Sequence, residues 1–359
     1  MMAAAATMFA ACTEADFVNE VSSVPQAIEF ESYANGATRN TENSTAGYDG
    51  DLSAHHTTFT VWGYKLAGST AHKVFTNIPV THSGTWGYTK EVYWDKAASK
   101  YNFYAAAPTK ADFWTLNEKN ADIADDYFTT AEYTVTTHNA ATYQVATSPT
   151  TSFKEVDDAE DLMIAEDAPV TPAYASPVQL KFIHILSRLN VTVATSLENV
   201  TVTEITVGNI NNKGSFDESK SMNPTTGSYA RWALNETEPV SVISYTNGTD
   251  KALVKDAAAV LAIEALVMPQ LAGTEVVALD ATTFAGKVEP YLYVEYTVNS
   301  EVYKRAYNLA DALNGAGTNA VPFNEGWQNT LNLTIGAEAI TFSTTVAQWA
   351  DNTGDQSVQ

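Results

Sequence analysis

The chain has 359 residues and carries 19 basic against 42 acidic side chains, a formal net charge of −23 at pH 7. A surface this acidic repels phosphate backbones and anionic lipid headgroups, which argues against nucleic acid as a partner. The length exceeds the size at which one hydrophobic core stops growing, and 45% of the residues are hydrophobic. We therefore expect two folded domains rather than a disordered chain.

The first segment contains the only cysteine, Cys12, directly behind the apolar run MMAAAATMFAA. A single cysteine excludes an intramolecular disulfide, so stability must come from a sizeable core. Small residues at the two positions before Cys12 suit bacterial lipoprotein processing, although the run is short and no basic residue precedes it. We interpret residues 1–12 as a lipoprotein signal segment with Cys12 as the lipidation site. The alternative is a free thiol in a frayed terminus.

Residues 13–39 form an acidic leader that ends in a candidate strand and a loop. In QAIEFESY, Ile28 and Phe30 alternate with Glu29 and Glu31, which predicts an edge strand with one buried face. The Gly/Asn/Thr-rich stretch that follows is typical of an accessible loop, and it contains Arg39, the first basic residue of the chain.

Beyond residue 40, short runs rich in β-branched and aromatic residues alternate with Gly, Asn, Asp and Pro, which predicts an all-β chain. TTFTVWGYKL at 57–66 is apolar on both faces, as in a strand buried inside a sandwich. Residues 91–108 predict two aromatic strands joined by a polar turn. The best helical candidates are 113–126 and one or two turns at 308–313.

The second half begins with VQLKFIHILSRLNVTVATS at 178–196, which predicts one long strand or a bent strand pair. Two further strands and a hairpin follow, and the hairpin turn is expected at Asn299 and Ser300. Three prolines interrupt strand pairing before residue 178: Pro169, Pro172 and Pro177. We therefore predict a boundary near residue 175, between β-sandwich domains at 40–175 and 176–359.

Catalytic motifs are absent from the sequence: it has no HExxH, GxSxG, Walker or GxGxxG pattern. We expect the pair His55-His56 to lie in a solvated loop. Because His184 lies in an apolar strand, we expect it to be a core histidine. The acidic cluster EVDDAEDLM at 155–163 is the best metal candidate, but it lacks EF-hand spacing and glycine, so a solvated acidic loop is favoured. Paired carboxylates for glycoside hydrolysis have no positive support. We expect no metal, no cofactor and no enzymatic activity.

Several segments carry a family resemblance, in the family's order and over nearly the whole chain. They are MFAAC, IEFESY with Thr38-Arg39, FTVWGY, the aromatic series 86–108, DLMIA, KFIHILSRLNVTV, VMPQ, and the closing NEGWQNTLNLTI and ITFSTTVAQWAD. In these features the chain resembles the fimbrillin family of type V pilin-like surface lipoproteins. It departs from the family pattern in lacking a basic stretch before the apolar run and in having Phe9 where leucine is commoner.

The resemblance implies two transthyretin-like β-sandwich domains with few short helices. It also implies palmitate on Cys12, anchorage in the cell outer membrane before processing, and assembly into a cell-surface fimbrium. The expected partners are other fimbrial subunits, in a homopolymer or a hetero-assembly, together with host or bacterial surface ligands.

Assembly by strand exchange is implied as well. Separately, the position of Arg39 as the first basic residue, in an accessible loop, makes it the candidate site for an arginine-specific protease. Cleavage there would free the strand that contains Ile28, Phe30 and Tyr33, and would leave a groove with unpaired backbone groups that a neighbour's extended segment fills. The alternative is that Arg39 is an ordinary surface residue in a loop.

The candidate donor strands lie at 339–350. There Ile340 and Phe342 alternate with polar residues, and Val346 and Trp349 follow after a slip. The competing arrangement is that these strands pair in cis and complete their own domain.

A second function remains open, that of a monomeric, surface-exposed glycan-binding lipoprotein. Its stacking platform would come from exposed members of one set of tryptophans: Trp62, Trp86, Trp94, Trp114, Trp232, Trp327 and Trp349. Most of them fall within strand patterns, for which core packing is the commoner explanation.

Overall fold

The computed structural model describes residues 25–34, 52–54, 56–118, 126–135, 160–170, 176–220, 231–235, 241–271, 290–314 and 322–348. Nearly every element in this part of the chain is a β-strand, which confirms the predicted all-β class. One α-helix is described, α1 (Leu309–Asn314), at the position where the sequence predicts one or two turns. None of the described helices has the length and apolar character needed to cross a bilayer.

The strands of the first part of the chain are β1 (Phe30–Ala34), β2 (Thr58–Ala67), β3 (Thr70–His82), β4 (Trp86–Gly87), β5 (Lys100–Ala107), β6 (Trp114–Asn117), β7 (Tyr127–Thr130), β8 (Tyr133–Thr134), β9 (Met163–Val170) and β10 (Val178–His184). Those of the second part are β11 (Ser187–Thr195), β12 (Val200–Ile210), β13 (Lys213–Phe216), β14 (Trp232–Leu234), β15 (Ser241–Leu253), β16 (Val260–Val267), β17 (Gln270–Leu271), β18 (Tyr291–Val298), β19 (Glu301–Asn308), β20 (Pro322–Phe323), β21 (Trp327–Ile335) and β22 (Ile340–Gln348).

Seven strands form the amino-terminal sheet, in the order β1-β10-β9-β5-β2-β3-β4. The pairing of β1 with β10 is parallel, and the remaining pairs are antiparallel. Strand β2 is buried on both faces, because Phe59 packs into one hydrophobic cluster and Trp62 into another on the opposite side. Strand β5 divides in the same way, with Phe103 on the first face and Tyr104 on the second. The prediction of a doubly buried strand at 57–66 is confirmed.

Two sequence-based predictions in this region are wrong. Of the two aromatic strands expected at 91–108, only the second forms, as β5; the first segment makes an isolated bridge between Tyr93 and Ala27. The helix expected at 113–126 is replaced at its start by strand β6, which pairs with β7. The side chain of Trp114 explains this, because its buried indole N–H donates to the Pro108 carbonyl at 2.9 Å. Tertiary packing outweighs weak helical periodicity here.

The carboxy-terminal part contains two four-stranded sheets, β16-β11-β21-β22 and β15-β12-β18-β19, which share one core. The hairpin β18–β19 turns at Asn299 (φ 51°) and Ser300 (φ 72°). Two consecutive left-handed residues are the signature of a type I′ turn, whose twist matches that of the strands. The predicted hairpin is therefore present at the predicted residues.

The long run 178–196 is a bent strand pair that breaks at residues 185–186. Strand β10 pairs with β9 and β1 in the amino-terminal sheet, whereas β11 belongs to a carboxy-terminal sheet. The boundary predicted near residue 175 therefore falls within one sheet, because β10 finds its partners upstream in the chain. The break is held by three hydrogen bonds: Ile185 N–H to Leu162 O (3.0 Å), Trp232 Nε1–H to Ile185 O (2.8 Å) and Gly326 N–H to Leu186 O (2.8 Å).

Gly326 at this break offers a test of the local geometry. Its φ is +68°, and a Cβ added there would lie 3.2 Å from the His184 carbonyl oxygen. We expect Gly326→Ala to lower the free energy of unfolding by about 1 kcal/mol or more, because a left-handed non-glycine residue is strained and the oxygen must also move. Gly68→Ala is the matched control, since Gly68 has φ +65° and no neighbour within 4 Å of the added Cβ. Equal urea midpoints for the two variants would contradict a close approach at the break.

Candidate functional site

Strand β1 lies at one edge of the amino-terminal sheet. Its partner in the described sheet is β10, with five register pairs from Phe30–Val178 to Ala34–Phe182. Ile28, Phe30 and Ser32 are buried, whereas Glu29 and Glu31 are exposed. This alternation is what the sequence leads us to expect of an edge strand with one buried face.

Phe30 anchors β1 in a pocket of four aromatic rings, which we call the aromatic pocket. The distances from its ring centroid are 6.3 Å to Phe59, 5.3 Å to Phe75, 5.9 Å to Tyr88 and 5.6 Å to Phe103. All four contacts are edge-on, the arrangement that aromatic quadrupoles favour, and each contributes about 0.5–1.5 kcal/mol beyond the buried area. The strand therefore contributes to the core far more than its five register pairs suggest.

The residues just before β1 are held by the segment that follows β4. The Ile28 N–H donates to Val92 O at 2.7 Å, and the Trp94 N–H donates to Gln26 O at 3.0 Å. The Tyr88 hydroxyl donates to Ile28 O at 2.6 Å. Burial raises the pKa of the Tyr88 hydroxyl, which keeps it protonated as a donor. One side of the leader thus pairs with β10 and the other with residues 92–94.

Strand β22 lies at the edge of a carboxy-terminal sheet. It pairs with β21 in cis through nine antiparallel register pairs, from Trp327–Gln348 to Ile335–Ile340. The register is continuous, so Val346 shares the face of Ile340 and Phe342 without the slip that the sequence suggested. Burial falls along this face, from Ile340 at 5% exposed to Val346 at 43%.

The ring of Phe342 packs edge-on against Tyr307 of β19, with the centroids 4.7 Å apart. This contact ties the edge strands of the two carboxy-terminal sheets together. Among the described residues, it is the one aromatic contact of Phe342, so its ring is less enclosed than that of Phe30.

Several predicted site residues lie outside the described part of the chain. These are Cys12, Arg39 and Trp349, together with the side chain of Tyr33, whose backbone pairs with Lys181. Lipidation, processing and the end of the donor strand therefore stay predictions.

The histidines differ from the expectation in one respect. His56 is buried rather than solvated, whereas His184 lies in the core as predicted. Sequence reasoning missed its partner: His184 Nδ1 is 2.5 Å from Asp161 Oδ2, although the acidic cluster was expected to be solvated. Val178, Leu180 and Phe182 alternate toward the core, and the same alternation predicts that His184 is buried. The described residues contain no group of three or more His, Cys, Asp or Glu side chains that suits a metal ion.

The tryptophans divide between the core and half-exposed positions. Trp62, Trp94, Trp114 and Trp232 are buried in the hydrophobic clusters. Packing therefore accounts for these four, and they do not form a stacking surface for sugars.

Comparison with known proteins gives a family match and distant structural similarity. A family model described as fimbrillin-like matches residues 38–349. No curated protein sequence matches the chain.

Among solved structures, a fimbrial protein from Bacteroides vulgatus is 17% identical, with a TM-score of 0.45, over 90% of this chain and 99% of that one. A candidate cell adhesion protein from Bacteroides ovatus is 13% identical, with a TM-score of 0.48, over 92% and 100%. Another, from Bacteroides uniformis, is 15% identical, with a TM-score of 0.44, over 90% and 98%.

The anchoring role of Phe30 is testable by truncation. We expect Phe30→Ala to lower the free energy of unfolding by about 3–5 kcal/mol, since it empties the aromatic pocket, and to speed amide exchange in β10. Glu29→Gln, which changes the exposed residue immediately before β1, should shift stability by less than about 0.5 kcal/mol. Denaturant unfolding followed by tryptophan fluorescence measures both variants. A Phe30→Ala protein as stable as the Glu29→Gln control would show that β1 contributes little to the core.

Proposed function

The chain belongs to the fimbrillin-like family, and from this premise we propose that it is a structural subunit of a bacterial surface fimbrium that mediates adhesion and assembles by donor-strand exchange. Membership in a family of fimbrial proteins supports a structural rather than a catalytic role. The observation that carries the assembly proposal is the position of β1, an edge strand that fills a deep pocket yet has one strand partner in its sheet.

An edge strand of this kind is replaceable for a physical reason. No described strand lies beyond β1, so its departure leaves the order β10-β9-β5-β2-β3-β4 intact. The departure uncovers the aromatic pocket and unpairs the outer edge of β10. An added strand can bury this apolar surface and, at the same time, pair with the exposed backbone groups beside it.

Processing at Arg39 would release β1 and the amino terminus together. Both Cys12 and β1 precede Arg39 in the chain, so one cut separates the folded remainder from the lipid anchor and from the strand that occupies the groove. In this proposal the subunit is held in the cell outer membrane by acylated Cys12 until cleavage, and afterwards belongs to the fimbrium. Its partners there are other fimbrial subunits and surface ligands of host or bacterial cells.

The donor in this proposal is β22, with Ile340, Phe342, Val346 and Trp349 as its apolar residues. Strand β22 is also an edge strand, so it can leave β21 without separating any pair of described strands beyond it. In the exchange, β22 gives up its pairing with β21 of its own chain and pairs instead in the groove of a neighbouring subunit. Because the two pairings are similar, the net free-energy cost is small.

Substitution of Arg39 tests the processing step. We expect an Arg-specific protease to convert the purified chain into a ladder of polymers, and Arg39→Ala to remain monomeric with its leader intact. Arg305→Ala is the control, because Arg305 is an exposed arginine outside the leader. Mass spectrometry of the mature amino terminus reports the cut and, before cleavage in cells, the acyl group on Cys12. A ladder from Arg39→Ala equal to that of Arg305→Ala would refute processing at this residue.

Truncation tests the donor. Deletion of residues 339–359 removes β22 and the tail, and we expect it to abolish polymers while the amino-terminal sheet stays folded. Deletion of 351–359 alone removes only the polar end and should leave assembly unchanged. Electron microscopy of protease-treated protein scores fibres, and circular dichroism checks the fold. Normal fibres from the longer deletion would discard β22 as donor.

A further inference from the structure

The residues just before β1 lie against a second segment, residues 88–94, which we call the clasp. An isolated antiparallel bridge joins Tyr93 of the clasp to Ala27. The leader is therefore paired on two sides, with β10 from residue 30 onward and with the clasp before that. Two backbone hydrogen bonds flank the bridge: Ile28 N–H to Val92 O (2.7 Å) and Trp94 N–H to Gln26 O (3.0 Å).

The Tyr88 hydroxyl closes a cycle of three hydrogen bonds with the backbone of the leader. The Ile28 N–H donates to Val92 O at 2.7 Å, and the Val92 N–H donates to the Tyr88 hydroxyl oxygen at 3.3 Å. That hydroxyl in turn donates to Ile28 O at 2.6 Å. The Tyr88 ring packs edge-on against Phe30 and Phe75, at centroid distances of 5.9 and 5.3 Å. One side chain thus joins the leader, the clasp and the core.

The clasp is fixed at its carboxyl end and exposed in its middle. Trp94 is buried, with its ring centroid 4.7 Å from that of Tyr101, and the N–H of the next residue donates to the Tyr101 hydroxyl at 2.7 Å. By contrast, residues 89–91 are exposed and Tyr93 is 46% exposed. Residues 88–93 can therefore swing away from the leader about a fixed end.

The two walls beside the leader differ in how easily they move. Strand β10 is paired on its far side with β9, so it cannot move without opening the amino-terminal sheet. The clasp belongs to none of the described sheets. Of the two walls, the clasp therefore moves at the lower cost.

A cut at Arg39 removes none of the contacts that hold the leader. The register pairs of β1 with β10, the rings around Phe30 and the hydrogen bonds of Ile28 are all made by residues 26–34. All of these contacts are non-covalent, and all of them remain after the peptide bond is broken. The leader therefore stays bound until a wall opens.

We propose that cleavage and release of the leader are separate steps, and that opening of the clasp sets the rate of release. Tyr88 is the positioning residue of this device, because its hydroxyl holds the clasp and the leader together. The inference rests on the proposed function for the cut at Arg39, whereas the clasp itself is present in the uncleaved chain. A processed subunit thereby keeps its groove covered until clasp and leader separate.

Amide hydrogen exchange of the uncleaved, full-length chain measures the clasp directly. We expect Tyr88→Phe to speed exchange in residues 25–34 about threefold to tenfold, the factor that corresponds to one lost neutral hydrogen bond. The substitution keeps the ring, so its packing against Phe30 remains. Tyr93→Phe is the matched control, because it removes from the same segment a hydroxyl that donates to Glu91, at 2.5 Å, and not to the leader.

Two results of the exchange measurement would refute the clasp. Equal exchange in Tyr88→Phe and Tyr93→Phe shows that the Tyr88 hydroxyl does not hold the leader. An acceleration as large in β11 as in residues 25–34 reports global unfolding and not a local opening.

Gel filtration after Arg-specific cleavage measures release. We expect the cut leader peptide to co-elute with the wild-type subunit, and to dissociate about threefold to tenfold faster from Tyr88→Phe. Tyr93→Phe should release the peptide at the wild-type rate. A leader that leaves the wild-type subunit as soon as it is cut overturns the separation of the two steps.

A disulfide across the bridge makes the opposite change. Ala27 and Tyr93 form a non-hydrogen-bonded antiparallel pair, whose Cα atoms lie about 4.5 Å apart, within disulfide range. We expect Ala27→Cys with Tyr93→Cys, in a Cys12→Ser background, to cross-link and to slow exchange in residues 25–34 about tenfold or more until it is reduced. Ala27→Cys with Glu91→Cys is the control, because a shift of two residues, about 7 Å, exceeds disulfide reach. Failure to cross-link, or exchange unchanged by the cross-link, contradicts a clasp that opens.

The proposed function is scored separately, by mass spectrometry and electron microscopy of the protease-treated wild-type chain. A chain that is not cut at Arg39 contradicts the proposed processing, while the exchange measurements still decide the clasp. A chain that is cut and forms fibres, but whose exchange is unaffected by Tyr88→Phe, overturns the inference alone and leaves the fimbrial role in place.

Discussion

The packing of Phe30 among four aromatic rings is the contact on which the amino-terminal half depends. The rings come from β2, β3, β5 and the segment after β4, so one side chain joins elements that are far apart in the chain. Yet the strand that carries Phe30 lies at the sheet edge. A strand whose side chains fill part of the core, but which pairs with one strand at the sheet edge, can be exchanged for a similar strand without rebuilding the sheet.

The break at residues 185–186 separates β10, which borders the groove, from the sheet that contains β22. The groove lies on one side of it, at β10, and β22 lies on the other, in a sheet that contains β11. The backbone hydrogen bonds of Ile185 and Leu186, together with the Arg231 side chain, which meets Glu218 at 3.4 Å and Glu325 at 3.1 Å, fix this crossing. In the proposed fibre, the path within each subunit from the groove to β22 runs through this crossing, where Gly326 adopts a left-handed conformation.

Local patterns predicted the elements whose structure is decided locally. The turn at Asn299 and Ser300, the helical turn at Leu309 and the alternation of Ile28 and Phe30 with Glu29 and Glu31 are all visible in short windows of sequence. The features that short windows of sequence do not show involve distant partners. The parallel pairing of β1 with β10 joins residues such as Glu31 and Gln179, 148 positions apart, and places β10 in the amino-terminal sheet.

Burial of polar and aromatic side chains is equally non-local. In the sequence, Asp161 belongs to an acidic run that predicts a solvated loop, but in the fold it contacts His184. Trp114 lies in a segment with helical periodicity, but its indole N–H donates to the Pro108 carbonyl. For the candidate site, the residues of both strands were visible in the sequence. The aromatic pocket was not, because its rings come from four separate segments.

In the proposed assembly, the positions of the two edges also determine the type of contact between subunits. The groove beside β10 and the strand β22 are different surfaces of one chain, so a contact between them is heterologous rather than two-fold symmetric. A heterologous contact leaves each bound subunit with one unused groove or one unused strand, and it propagates as an open filament unless its rotation closes a ring. In the proposed filament, the difference between the positions of Phe30 and Phe342 sets the direction of assembly. The less enclosed phenylalanine lies on the proposed donor strand, and the more enclosed position lies in the groove proposed to receive it.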